Sequence, residues 1–324
     1  MIPRFVTADE VKRLLPYRDC IPLMREAMML LSAGQTRQTL RQIVDLPGGR
    51  AFGVMPGAIL EGVFGAKLVS VYPDNHGSNG GSHQGVVVLF DPESGAPASI
   101  LEAGEITAIR TAAASAAATD ILARPDSKRL AMLGYGEQAW RHVEALRLVR
   151  PIEEVLVWGR SIEKAEYFAD RVQTLGLKAV AAPDVEVATA SADIICTVTA
   201  AAEPILSSGA VADGAHINAV GSSRAGRAEI AADLVARSRF FADHKESVLA
   251  QGGEFLVARA CGLIEDDHLL GEIGEVFAGK LAGRTDPGEV TLYKSLGSVV
   301  QDLAAAQHVM AAAAETPPLI SPRR

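Results

Sequence analysis

The segment Gly134-x-Gly136-x-x-Ala139 has the residue types and spacing of a phosphate-binding turn. It follows a short apolar run, 129–133, and opens a helical pattern that continues through Leu148. In such a turn the first glycine permits a tight bend, and the second lets backbone N–H groups approach a pyrophosphate. The small third residue lets helix and strand pack closely. The start of the helix adds unpaired N–H groups and a partial positive charge. This context predicts a dinucleotide site, against the plainer reading of an ordinary glycine turn. The next apolar run, 155–158, ends in Trp158-Gly159-Arg160-Ser161. An NAD-preferring site usually has Asp or Glu there for the ribose hydroxyls. Arg160 suits a 2′-phosphate instead, and the Ser161 hydroxyl could add one more bond. NADP(H) is therefore favoured, with NAD(H) as the alternative and a solvated surface arginine as the bland reading. Two further segments, Thr197-Val198-Thr199 and Ala219-Val220-Gly221, end apolar runs of their own. Because ligands sit beyond the carboxyl ends of parallel strands, both are expected to line the nicotinamide and ribose side.

These positions need a scaffold, and the surrounding pattern predicts one. Strands are expected at 129–133, 155–158, 179–181, 194–198 and 217–220, with helices from Gly136 through Leu148 and over 165–175. Such alternation predicts a parallel, doubly wound sheet with right-handed crossovers. Ahead of it the pattern differs. Two short amphipathic helices are expected within 7–32, then strands over 40–46, 51–55, 64–71 and 85–90. Asp91-Pro92-Glu93-Ser94-Gly95 is a turn signal leading to a returning strand at 98–101. The alanine-dense stretch 107–122 reads as a helix that ends before Arg124-Pro125. The tail, 290–314, also reads as helical and could return to the first domain.

A chain of 324 residues, 48% hydrophobic and 22% charged, can build two cores. Its net charge of -8, with no run of Lys or Arg, argues against nucleic acid as a partner. Three scattered cysteines, Cys20, Cys196 and Cys261, suggest neither a disulfide framework nor a zinc site. No long apolar span suggests a membrane helix, and the first ten residues lack a signal-peptide pattern, so a cytoplasmic location is expected.

Several segments in order along the chain resemble the ornithine cyclodeaminase/mu-crystallin family. They are Gly65-Ala66-Lys67-Leu68-Val69, Ser82-His83-Gln84-Gly85, Phe90–Gly95, Ile106–Ser115, Leu133–Gln138, Trp158-Gly159-Arg160, Thr197-Val198-Thr199, Ile217–Gly221 and Thr291–Gly297. The resemblance implies an α/β protein in which a Rossmann domain, 119–299, is inserted into an α+β domain, 1–118, that is completed by 300–324. It also implies that the α+β domain binds substrate and forms a homodimer. By the same resemblance Arg41 and Arg110 look like a clamp on a substrate carboxylate, with Lys67 as an active-site lysine. His83 looks like an active-site hydrogen-bonding or proton-donating group. Thr111, Glu137, Gln138 and Ser295 join Gly134 and Gly136 as expected cofactor contacts.

Chemistry independent of the family supports the clamp. Guanidinium groups grip a carboxylate through paired hydrogen bonds, and a buried charge without a partner would be expensive. Lys67 could bind that carboxylate or donate a proton. A structural salt bridge is the plainer reading of Arg110, and an interface lysine that of Lys67. Ornithine cyclodeaminases carry Gly-Gly-Asp after the fifth Rossmann strand, whereas this chain reads Gly221-Ser222-Ser223-Arg224. A serine has little acid-base capacity near neutral pH, so cyclodeamination is disfavoured. The remaining expectation is NAD(P)H-dependent reduction of a small imino acid. Cyclic ketimines such as Δ1-pyrroline-2-carboxylate or Δ1-piperideine-2-carboxylate lead, followed by iminosuccinate, whose second carboxylate needs further basic residues; Arg50 or Arg224 could serve only if their side chains point to the site. Ornithine cyclodeamination, alanine or other amino-acid dehydrogenation and a crystallin-like binding protein are the alternatives.

Overall fold

The computed structural model describes residues 3–72, 83–223 and 225–315. The chain forms two compact units, one of residues up to Arg110 together with those from Val299 onward, the other spanning Thr111–Ser298. The first division falls inside a helix rather than a linker.

In the first unit the order is β1 (Arg4–Val6), α1 (Ala8–Leu14), α2 (Tyr17–Ser32), β2 (Thr36–Gln38), β3 (Gln42–Leu46), β4 (Arg50–Ile59), β5 (Phe64–Val71), β6 (His83–Phe90), β7 (Pro97–Glu102) and the start of α3 (Ala103–Leu122). Local chemistry sets the ends. Thr7 and Glu10 close a capping box at α1. Asp91 Oδ1 accepts from the Ser94 N–H at 2.8 Å, and Gly95 takes φ +71° to complete the turn into β7. The sheet runs β1-β7-β6-β5-β4-β2, with β3 also on β4. Among the described residues of this sheet only the β1–β7 pairing is parallel.

The second unit holds the rest of α3, then β8 (Arg129–Leu133), α4 (Glu137–Leu146), β9 (Glu154–Trp158), α5 (Ile162–Gln173), β10 (Lys178–Ala181), α6 (Val185–Thr189), β11 (Ile194–Thr197), β12 (His216–Ala219), α7 (Ala232–Arg237), β13 (Arg239–Ala242), α8 (Lys245–Gln251), α9 (Gly253–Ala260), β14 (Leu269–Glu272), α10 (Ile273–Phe277) and β15 (Thr291–Lys294). All its pairings are parallel, in the order β10-β9-β8-β11-β12-β15-β13-β14. The first five follow the Rossmann order, whose direction reverses between β8 and β11. One expectation is corrected here. Residues 291–294, read as part of a helical tail, are the strand β15 between β12 and β13. All four of its residues are buried, so no alternation of apolar and polar side chains marks it.

The last helix, α11 (Val299–Glu315), belongs to the first unit and packs on α2 and on β4, β5 and β6. Gly57 permits that contact, because a Cβ there would lie 2.5 Å from Val299 Cγ1. Ala51, Met55 and Lys67 are buried, while Phe52 and Phe64 are exposed. Met55 and Lys67 are register partners, so they share one face of the sheet, opposite Phe52 and Phe64.

Candidate active site

On the buried face of the first unit, β5 and α3 bring Lys67 and Arg110 to one carboxylate. Lys67 Nζ donates to Asp302 Oδ1 at 3.1 Å and to Thr107 Oγ1 at 2.6 Å. Arg110 Nε donates to the same Asp302 oxygen at 3.0 Å, and its Nη1 donates to Gln301 Oε1 at 2.8 Å. Lys67 and Arg110 are each 4% exposed, and Gln301 and Asp302 are fully buried. Burial lowers the Lys67 pKa to about 8; Asp302 opposes that shift, while Arg110 and Arg41 reinforce it. Burial pushes Asp302 upward, but the charges of Arg110 and Lys67 prevail and hold its carboxyl below the usual range. Arg41, half-buried just ahead of β3, thus belongs to the field around Lys67. His83 opens β6 opposite Val71, and its side chain lies outside the described residues, as does Arg224. Arg50 lies 5.0 Å from the centre of the Tyr72 ring.

Gln301 and Asp302 were not anticipated. Their one sequence signal is a polar pair in an otherwise apolar stretch, Val299-Val300-Gln301-Asp302-Leu303, where a buried charge requires partners.

In the second unit the glycine turn has the geometry a pyrophosphate needs. Gly134 takes φ +125°, a conformation that disfavours side chains, and a Cβ there would lie 2.9 Å from the Val198 carbonyl oxygen. Gly136 caps α4 and has nothing within 4 Å of where a Cβ would stand. Ala139 is fully buried, as close helix–strand packing requires. Thr111 Oγ1, Gln138 Oε1 and Ser295 Oγ are buried without a hydrogen-bond partner among the described residues. All three are expected cofactor positions. Buried polar atoms are rarely left unpaired in native proteins, so these fit a bound polar group. The residues present therefore fit a dinucleotide. Glu137 lies in the first turn of α4. Arg160 is exposed just beyond β9. The hydroxyl of Ser161 is already engaged, accepting from the Lys164 N–H at 3.3 Å and donating to Glu163 Oε2 at 2.7 Å.

At the carboxyl ends of β11 and β12 the structure adds a carboxylate that sequence reasoning missed. Glu229 accepts from Thr197 Oγ1 (2.8 Å), Thr199 N (2.7 Å), Thr199 Oγ1 (2.6 Å) and Gly221 N (2.7 Å). Its own N–H donates to Glu254 Oε1 at 3.0 Å, and Lys294 Nζ lies 2.8 Å from Glu254 Oε2 while donating to the Ser222 carbonyl at 2.6 Å. Glu229, Glu254 and Lys294 are fully buried. Burial raises the Glu229 pKa, against the pull of the Thr199 and Thr197 bonds and of Lys294. The network fixes Thr197, Thr199 and Gly221, and Val220 is tied to β11 through its N–H to the Thr197 carbonyl at 3.0 Å.

The sequence model of the ornithine cyclodeaminase/mu-crystallin family matches residues 2–316. The chain belongs to that family. Among its relatives is the ketimine reductase mu-crystallin of Mus musculus, 37% identical over 313 residues that cover 95% of this chain and 96% of the relative. The structure of Thermococcus litoralis Δ1-pyrroline-2-carboxylate reductase in complex with NADH and L-proline superposes with a TM-score of 0.92 at 31% identity, covering 96% of this chain and 98% of that one. An archaeal alanine dehydrogenase dimer with bound NAD gives a TM-score of 0.91 at 29% identity, with 97% of each chain covered. Both likenesses span the two units, so the fold is that of the family from end to end.

Proposed function

We propose that this family member is an NAD(P)H-dependent imine reductase that converts a small 2-imino acid to the amino acid. A cyclic ketimine such as Δ1-pyrroline-2-carboxylate or Δ1-piperideine-2-carboxylate is the leading substrate. The observation that carries this reading is the meeting of two buried cations, Lys67 and Arg110, on one carboxylate oxygen. The pair retains net positive charge in a place where charge is costly, and an anionic ligand offsets it. A guanidinium has five N–H donors and an ammonium three, so donors remain on both groups after their protein bonds are made. Arg110 and Arg41 are the proposed carboxylate clamp, and Lys67 and His83 the groups at the imine.

A reduced nicotinamide, when bound, supplies the hydride. Gly134, Gly136, Glu137, Gln138 and Thr111 would hold the cofactor together with the segments Thr197–Thr199, Val220–Gly221 and Ser295. Arg160 favours NADP(H) over NAD(H). The named activities of the mouse and Thermococcus relatives support imine reduction, and the alanine dehydrogenase supports a homodimer. Exposed Val44, Phe52 and Phe64 on the outer face of the first sheet suit burial against a second copy. No helix among the described residues is long and apolar enough to cross a membrane, and a cytoplasmic enzyme is the proposal that accords with it.

Glu229 does not restore cyclodeamination. Its four acceptor positions are filled and it is fully buried, so it offers a substrate no free basic oxygen. The test is oxidation of NADPH and NADH followed spectrophotometrically with cyclic imines, and with pyruvate plus ammonia. Cyclic imines should turn over. Arg110→Ala and Lys67→Ala should each lower kcat/KM by about a hundredfold or more, as truncating a buried charged hydrogen-bond partner does. Full activity in both variants, with thermal melts confirming folded protein, would remove the proposed site.

A further inference from the structure

We propose that Asp302 is the positioning residue of the cation cluster: its Oδ1 holds the inward donors of Lys67 and Arg110 so that their remaining donors face the ligand, and Lys67 Nζ then delivers the proton to the imine nitrogen. This rests on the imine-reductase reading.

Three observations carry it. First, Lys67 and Arg110 lie on different elements, β5 and α3, and share only the Asp302 oxygen of α11, at 3.1 and 3.0 Å. Without that oxygen, two like charges would be buried side by side. Second, each cation is bound twice by protein. Lys67 uses two of its three donors, on Asp302 and on Thr107, whose own hydroxyl donates to the Ala103 carbonyl and so is set to accept. One N–H is left on Nζ. Third, Asp302 Oδ2 and Gln301 Nε2 are buried with no hydrogen-bond partner among the described residues. One is an acceptor and the other a donor, which matches the N–H and the carboxylate of an amino-acid product.

The proton step balances. The last Nζ–H bond breaks as the N–H bond forms, a reduced nicotinamide, when bound, would supply the hydride for the imine carbon and so the two electrons, and the neutral lysine regains its proton from solvent. The charged groups acting on Lys67 are Asp302 from α11, Arg110 from α3 and Arg41 ahead of β3. Its strand neighbours in register, Met55 on β4 and Val87 on β6, are apolar. Cys20 of α2, a thiol that burial pushes upward, feels Arg110.

The experiment is a set of pH profiles of kcat/KM between pH 6 and 10 for the wild type, Asp302→Asn, Asp302→Glu and Lys67→Arg. Binding of the unreactive anion pyrrole-2-carboxylate is measured by calorimetry alongside. Wild-type activity should fall as pH rises through about 8, where Lys67 loses its proton. Asp302→Asn removes the charge that favours the ammonium, so the falling limb should move about one unit lower. Its kcat/KM at pH 7 should drop about tenfold or more, its affinity for pyrrole-2-carboxylate should weaken, and Asp302→Glu should recover part of each loss. In Lys67→Arg the limb should vanish, because arginine does not titrate in this range. An unmoved limb in Asp302→Asn, whether activity is kept or lost, overturns the positioning role. A limb that persists in Lys67→Arg overturns the proton assignment. A wild type that binds pyrrole-2-carboxylate but reduces no imine defeats the reaction reading instead, and the calorimetry on Asp302→Asn then decides the positioning role by itself.

Discussion

The seven-stranded unit buries Lys67, Arg110 and Asp302, whereas the eight-stranded unit buries Lys294, Glu229 and Glu254. The residue types are alike and the balances are opposite. In the first network one carboxylate oxygen serves two cations, and an acceptor and a donor beside it lack partners among the described residues. In the second network the additional carboxylate, Glu229, is met by two backbone N–H groups and two hydroxyls, while Glu254 Oε2 pairs by charge with Lys294 Nζ at 2.8 Å, without a hydrogen bond among the described residues. Neutral donors can satisfy a carboxylate completely, because backbone N–H groups and hydroxyls are always at hand. A buried guanidinium or ammonium needs acceptors, and the most effective of these is another anion. The first network therefore looks outward for a ligand, while the second closes on itself and stiffens the loops at the carboxyl ends of β11 and β12.

The comparison breaks if the two networks respond alike to a carboxylate. Pyrrole-2-carboxylate at a hundred times its Kd should stabilise the wild type by about 2.7 kcal/mol, raising Tm. Arg110→Ala should lose that response. Glu229→Ala should lower Tm with no ligand present, by the equivalent of about 3 kcal/mol, since it orphans the Thr199 and Gly221 N–H groups and takes the acceptor from the Thr197 and Thr199 hydroxyls. It should keep the response to the carboxylate. Loss of the response in Glu229→Ala, or a Glu229→Ala protein as stable as the wild type, would mean that the second network is not the closed clamp described.

Acid sharpens the contrast. His142 of α4 is fully buried between the Gln138 carbonyl, 2.7 Å from Nδ1, and Ser115 Oγ, 2.9 Å from Nε2. The carbonyl can only accept, so Nδ1 carries the proton. Burial lowers the pKa of His142 to about 4, from an ordinary value of 6.5. The unfolded chain therefore takes up a proton from pH 6.5 downward while the folded chain resists it, and stability is lost as pH falls toward 4. Between pH 7 and 5 this amounts to about 2 kcal/mol. Asp302 contributes no change in that window: its folded pKa lies below the ordinary 3.8, so its stabilisation is lost only at lower pH. Urea midpoints at pH 7 and pH 5 should accordingly separate for the wild type and separate about half as far for His142→Gln, because His216, also fully buried with its pKa lowered to about 3, loses stability over the same window. Equal separation in both would place the acid sensitivity elsewhere.

The two networks were also unequally visible in the sequence. The turn at Gly134, with β8 before it and α4 after it, could be read because glycine spacing and strand–helix alternation are local. β5 and β8 lie where the apolar runs place them. Asp302 lies 235 residues from Lys67, and no local pattern announces so distant a pair. Resemblance named the cations and left their anion unnamed. Glu229 was hidden for a different reason. The departure at Gly221-Ser222-Ser223-Arg224 drew attention to the missing aspartate, while the carboxylate that reaches Gly221 comes from eight residues further on. β15 escaped because a fully buried four-residue strand shows no period of two and runs into an alanine-rich helix, even though Asp286-Pro287-Gly288 supplies a turn signal ahead of it.

The smallest expected effect concerns the choice between cofactors. Arg160 is exposed, so water and salt screen its attraction for a 2′-phosphate, and an exposed contact of this kind contributes about 1 kcal/mol. Ser161 adds little, because its hydroxyl caps α5 and donates to Glu163, whose carboxylate repels a phosphate brought beside it. Arg160→Ala should therefore weaken NADP+ binding about fivefold, leave NAD+ binding unchanged, and flatten the salt dependence of the NADP+ constant, as fluorescence titration at two ionic strengths would read. Glu163→Gln should move NADP+ binding the other way by a similar factor. If Arg160→Ala weakens both cofactors equally, the arginine acts on a group that they share, such as the pyrophosphate, and the preference for NADP(H) loses its basis. Either result concerns the eight-stranded unit alone, so the carboxylate response of Lys67 and Arg110 should persist in both variants.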